Sequence, residues 1–338
     1  MLVLLFLRTI SHYLITFFPD YYISELLISF LPYSMLGHYI AILICLILII
    51  RRRRRLSKVH RIAHLCLYAL IYLAYLTTST YLHTYITSGE GLEGEAALSF
   101  LYANILYTNT DTAWLLKTIR THNPDIVMLV EYADHQDQIM RKKLLVDYPY
   151  TSHYKPLSNK WYDGDIIYSR YPLTRVDTSD SPRAYNHVVI TKQTQRYNIV
   201  LVHTAAPVTM RFRHLRKRQM QTLAEHLGNF LWKQKTKNIV MFGDFNITPW
   251  ADQYHAFATT MKKLHMDDVT TDLSSFNKEK SHRPMSLTRA ITTWWHSLLP
   301  FARAHIDHFR AGEDISASYH IIDIPGSDHD GFVGTLQQ

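Results

Sequence analysis

Ile239-Val240-Met241-Phe242-Gly243-Asp244-Phe245-Asn246 reads as a short apolar strand that stops at an acid and an amide. Four consecutive apolar residues suit a strand covered on both faces. Asp244 and Asn246 lie two apart, so both can face the same way if the extended geometry continues. Taken alone, the Asp-Phe-Asn segment is more often a turn. The same grammar recurs outward along the chain: the apolar run 126–130 ends at Glu131, and the run 199–202 ends at His203. Near the C-terminus stands Ser327-Asp328-His329. Polar groups at strand ends can meet on one edge of a sheet, where layered α/β proteins build their sites.

The surrounding pattern supports layered α/β. Residues 98–105, 125–130, 165–168, 187–191, 199–202, 239–242, 306–309 and 321–324 read as strands, while 111–121, 135–145, 213–232 and 252–261 have helical spacing. Beyond Cys45 and Cys66 there is no thiol, so chemistry there uses oxygen and nitrogen ligands. The net charge of +8 is uneven: residues 1–90 carry 8 Lys+Arg against 3 Asp+Glu, and residues 91–338 carry 28 against 25. A later part so close to neutral argues mildly against tight duplex binding.

The early part has another character. Residues 30–50 and 62–86 are uncharged stretches of 21 and 25 residues, each long enough for a membrane-spanning helix. Residues 1–18 are a weaker third candidate, interrupted by Arg8 and His12. Arg51 to Arg55 lie between the two stretches, and short loops rich in arginine stay on the cytoplasmic side. The reading is a membrane anchor over 1–87, a Gly- and Glu-rich linker over 88–96, and a domain over 97–338 held outside the cytoplasm.

From Asn104-Ile105 onward the chain resembles the endonuclease/exonuclease/phosphatase superfamily, in that family's order. The resemblance rests on Pro124-Asp125-Ile126-Val127 leading to Glu131, Ser169-Arg170-Tyr171-Pro172-Leu173, and Val202-His203. Arg216 and Gln219, Gly243-Asp244-Phe245-Asn246 with Thr248-Pro249-Trp250, Ile306-Asp307-His308 and Ser327-Asp328-His329 complete it. The anchor and Pro249-Trp250 resemble a membrane-anchored bacterial subgroup, which implies an inner-membrane location. The resemblance implies a four-layered α/β sandwich, deoxyribonuclease I-like, preceded by two or three transmembrane helices. It implies Mg²⁺, or Mn²⁺, held by Glu131 with Asn104 and Asp328. It places Asp244 and Asn246 at the attacking water and the phosphate, with His329 oriented by Asp307 and His203 at the leaving oxygen. Arg216 and Asn246 are its substrate-side residues, with Arg216 better suited to supporting the site from behind.

The chemistry stands beside the resemblance. Phosphate-ester cleavage needs charge neutralisation on the phosphoryl oxygens and an activated water. A carboxylate suits Mg²⁺, a hard cation that prefers oxygen. Arg211, Arg213, Arg216, Lys217 and Arg218 form a basic patch, read equally well as a site for substrate phosphates or as a helix face toward anionic lipid. Two departures from the family pattern are Val130, where a Gln is usual, and Asp330-Gly331, where a Pro is common. Nucleic acid and phospholipid headgroups both remain open as substrates, as does a non-catalytic binding module on the same fold; the lipid bilayer is the other expected partner.

Overall fold

In a computed structural model, the structure describes residues 98–152, 164–178, 185–249, 251–269 and 306–338, with isolated positions 44 and 47. The stretches 1–18, 30–50 (apart from positions 44 and 47) and 62–86, the linker 88–96 and Trp250 lie outside the described residues. Among the described residues no helix is long and apolar enough to cross a membrane.

The chain forms two six-stranded sheets. The first contains β1 (Leu98–Asn104), β2 (Ile126–Tyr132), β3 (Tyr150–Thr151), β4 (Gly164–Ser169), β11 (Ser316–Asp323) and β12 (Asp330–Gln337), in the order β11-β12-β1-β2-β4-β3. The second contains β5 (Leu173–Thr178), β6 (Tyr185–Lys192), β7 (Gln195–His203), β8 (Ile239–Asp244), β9 (Met266–Asp268) and β10 (Asp307–Gly312), in the order β5-β6-β7-β8-β10-β9. Among the described residues only β1–β2 and β7–β8 pair in parallel, and the other pairs are antiparallel.

Strand alternation decides the layering. Leu98, Phe100 and Tyr102 of β1 point into a core shared with Ile199, Leu201, Val240, Phe242 and Phe309 of the second sheet. Leu101 and Ala103 point the other way, against Leu115 and Ile119 of α1 (Thr112–His122) and Met140 and Leu144 of α2 (Asp134–Leu144). On the far face of the second sheet lies α3 (Met210–Gln234), whose His226 and Phe230 rings meet His187 of β6. Beside it lies α4 (Asp252–Lys263), whose Tyr254 stacks on His308 at 4.2 Å. The expected α/β sandwich, with helices outside both sheets, is what the chain forms.

Both parallel pairs end at the same edge. Asn104 pairs with Val130 at the end of β1, and His203 with Asp244 at the end of β7. The antiparallel strand β10 begins there too, with Asp307 opposite Asp244. β12 likewise starts just after His329 and runs back along β1. This topology, rather than proximity in sequence, collects the polar strand ends.

Candidate active site

Glu131 is aimed by a break in the ladder. The β2–β4 register shifts between Leu129 and Tyr132, and Glu131 takes a left-handed backbone with φ of +54°. A bulge with such a residue turns a side chain that would otherwise follow the alternation, and strain of this kind collects at functional sites. Its carboxylate accepts from Asn104 Nδ2 at 3.0 Å and from the Tyr107 N–H at 3.3 Å. His203 Nε2 lies 3.8 Å from the same group.

Asp244 is buried at the end of β8. It accepts from Asn104 Nδ2 at 3.1 Å and from the Asn246 N–H at 2.8 Å. Asn246 also has a left-handed backbone, φ +49°, and its side-chain amide donates to the Thr204 carbonyl at 2.9 Å. Burial pushes the Asp244 carboxyl well above the usual carboxylate range, and the charges of Asp307 and Glu131 reinforce this against the pull of His329.

His329 is held at both ring nitrogens. Nδ1 meets Asp307 Oδ2 at 2.7 Å, and Nε2 lies 3.7 Å from Asp244 Oδ2. The second Asp307 oxygen accepts from the Tyr102 hydroxyl at 2.6 Å. Ser327 fixes the approach of this segment, donating to the Asn104 carbonyl and accepting from the His329 N–H. Burial works to lower the His329 pKa, but Asp307 and Asp244 outweigh it and hold the imidazole well above its ordinary value. His203 goes the other way: burial lowers it, with Glu131 opposing.

The donors fit a divalent cation. Glu131, Asp244 and His329 each offer one ligand atom, all within 4.8 Å of one another. Asp328 adjoins them, its Oδ1 buried without a hydrogen-bond partner and 3.9 Å from His329 Nε2. A mainly carboxylate set suits Mg²⁺ or Mn²⁺. Asn104 differs from the expected ligand role as placed. Its Nδ2 bridges Glu131 and Asp244, while its Oδ1 accepts from the Leu106 N–H, so the donor side faces the cluster.

Arg216 takes the supporting place behind the site rather than the substrate-side one. It is 1% exposed, and its guanidinium donates to the Asn246 carbonyl and to Gln253 Oε1. It therefore supports the Asn246 turn from behind. The basic patch divides for the same reason: Arg213 and Arg216 fall on the buried stripe of α3, while Arg211, Lys217 and Arg218 face outward. His308, for which the sequence suggested no chemistry, is a buried structural ring bonded to the Ile247 carbonyl. Tyr102 is the member that sequence reasoning missed; a tyrosine on an alternating strand reads as core.

The sequence profile described as the Endonuclease/Exonuclease/phosphatase family matches residues 101–329, about two thirds of the chain. None of the curated proteins matches in sequence. Among solved structures, the catalytic domain of human Nocturnin with bound sulfate aligns with a TM-score of 0.53 and 18% identity, covering 73% of this chain and 97% of that one. D. rerio TDP2 in complex with a single-stranded DNA product aligns at 0.52 and 16%, covering 72% and 100%. Truncated Caenorhabditis elegans TDP2 aligns at 0.52 and 14%, covering 72% and 98%. At these identities the likeness shows a shared fold.

Proposed function

Since the chain belongs to the endonuclease/exonuclease/phosphatase family, whose members are typically hydrolases of phosphoester bonds, we propose that it is a divalent-metal-dependent phosphoesterase of nuclease-like chemistry. The observation that carries this reading is the unbroken polar chain from Tyr102 through Asp307 and His329 to Asp244, beside Glu131.

Glu131 and Asp328 are the carboxylates that would hold the cation, with Asp244 and His329 beside them. When bound, such a cation neutralises phosphoryl charge and lowers the pKa of water. Asp244, fixed by the Asn246 N–H at the end of β8 and facing His329, accepts the proton of the attacking water. Asp307 fixes His329 by Nδ1, leaving Nε2–H of the imidazolium to donate to a phosphoryl oxygen. Asn246, held over Asp244 by its own N–H, contacts the phosphate, and the His203 ring N–H stabilises the leaving oxygen.

The uncharged stretches around Arg51 to Arg55 support membrane anchoring with this domain outside the cytoplasm. Activity should be measured on bis(p-nitrophenyl) phosphate, single-stranded DNA, RNA, sphingomyelin and phosphoinositides, with EDTA and after Mg²⁺ or Mn²⁺ addition. Glu131→Gln should lose about 100-fold or more, since an amide brings no charge to the cation. Full activity in EDTA, or in Glu131→Gln, refutes the proposal.

A further inference from the structure

The end of the domain opposite the active-site edge is an apolar and basic surface with no part in the chemistry. We propose that it rests on an anionic bilayer.

The topology fixes which groups share this end. α3 starts beside the end of β7 and finishes before β8, so it runs antiparallel to both strands and its C-terminus lies opposite the site. The same end holds Leu98, where the described chain begins, and Gln338, whose amide donates to the Arg196 carbonyl at 2.9 Å. It also holds Asp125 at the start of β2, paired with Lys192 at the end of β6 at 2.8 Å.

Three apolar side chains project there. Trp232 near the end of α3 is 84% exposed, Val146 after α2 is 82% exposed, and Tyr150 opposite Ser169 is 41% exposed. Exposed Trp and Tyr among lysines are the side chains that suit a headgroup region. Lys233, Lys235 and Lys263 surround the helix ends, all exposed, and none pairs with a carboxylate among the described residues. Of the acids at this end, Asp125 is engaged by Lys192 and Glu313 by Lys237 and His265, while Asp147 and Asp267 are exposed.

The active-site edge also exposes Tyr107, Val208 and Met210, with Arg211, Lys217 and Arg218 beyond them. It gathers Glu131, Asp244, Asp307 and Asp328, however, a carboxylate set suited to a cation and a phosphate rather than to a bilayer surface. The polypeptide supplies the second argument. Both uncharged stretches, 30–50 and 62–86, precede Leu98, so the chain joins the domain at the basic end. Met210 and Trp232 are 22 residues apart on one helix, about 33 Å at 1.5 Å per residue. Resting on the phosphoesterase reading, this geometry points to a water-borne substrate rather than a headgroup of the anchoring bilayer.

The full chain, with Cys45 and Cys66 replaced by alanine, should be reconstituted in phosphatidylglycerol vesicles carrying a headgroup energy acceptor. Fluorophores are placed on Trp232→Cys or Val208→Cys. Transfer from position 232 should exceed that from 208 by about threefold or more, given the separation of about 33 Å. Lys233→Glu Lys235→Glu Lys263→Glu, or neutral phosphatidylcholine vesicles, should reduce transfer from 232 while hydrolysis of a soluble diester is unchanged. Equal or greater transfer from 208, or no effect of lipid charge, overturns the docking surface. Transfer needs no turnover, so it stands even if the chain proves catalytically silent. Faster hydrolysis of sphingomyelin or a phosphoinositide in the same vesicles than of the soluble diester overturns the substrate assignment.

Discussion

At Asp307 both carboxylate oxygens are used, one by Tyr102 and one by His329. A buried carboxylate that loses a donor bears its full desolvation penalty, so Tyr102→Phe should destabilise the fold by about 1.5–3 kcal/mol in urea unfolding. Asp307→Asn removes the charge that holds the His329 imidazolium in place and should cut the rate strongly. His329→Ala should cut it further, and the Asp307→Asn His329→Ala double variant should match His329→Ala alone, because groups acting as a unit fail together. Multiplicative losses in steady-state kinetics would show that the pair does not act as one. Most of this site was legible as residue types at strand ends. What was not legible depends on backbone details: Glu131 is turned by a bulge, and the Asn104 amide is oriented by the Leu106 N–H. The place of Arg216 behind the site follows from which side of α3 faces the sheet, and that is set by packing.

Between elements, the contact of β6 with α3 is built from rings. His187 Nδ1 lies 2.9 Å from His226 Nε2, with Phe230 edge-on at 4.5 Å. Burial, helped by His226, lowers the His187 pKa to about 3. The unfolded histidine titrates near 6.5, so between these values the unfolded chain binds more protons. Stability from this group is therefore full above about pH 6.5 and falls as pH drops toward 3, by up to about 1.4 kcal/mol per unit. His187→Gln should flatten that part of the stability–pH profile, measured by urea unfolding; an unchanged slope would count against a neutral buried His187. Strands of continuous apolar residues were legible, including β2, β7 and β8. β12 was not, because Gly331 and Gly334 weaken its pattern. They are there for space: a Cβ at Gly334 would come within 2.0 Å of the Ser318 carbonyl, and one at Gly331 within 2.6 Å of the Tyr102 carbonyl. β3 and β9 are too short to announce themselves, and β5 is an edge strand.

Across the whole molecule, the site joins the two sheets. Glu131 and Asp328 belong to the first sheet and its approach, Asp244 and Asp307 to the second, and Asn104 donates across to Asp244. The layered class was legible from alternating patterns. The meeting of two separate parallel pairs at one edge was not, because pairing between distant segments leaves no local signature. The convergence of four carboxylates has a thermodynamic consequence. Their recorded ion-pair partners are His203 and His329, so without a cation the cluster relieves its charge by holding protons. A divalent ion that binds only the folded chain stabilises it by mass action, about 2.7 kcal/mol at a hundredfold excess over its dissociation constant. For a domain of this size that raises the melting temperature by roughly 5–10 °C. The rise should follow Mg²⁺ or Mn²⁺ addition in differential scanning calorimetry and reverse with EDTA. Because burial raises the Asp244 and Asp328 carboxyls, the cation competes with protons there, and the gain should be larger at pH 8 than at pH 6. Glu131→Gln should abolish most of the gain while leaving the metal-free melting temperature close to wild type, since the amide keeps the packing and relieves repulsion. A cation-induced rise of equal size in Glu131→Gln would place the bound ion elsewhere.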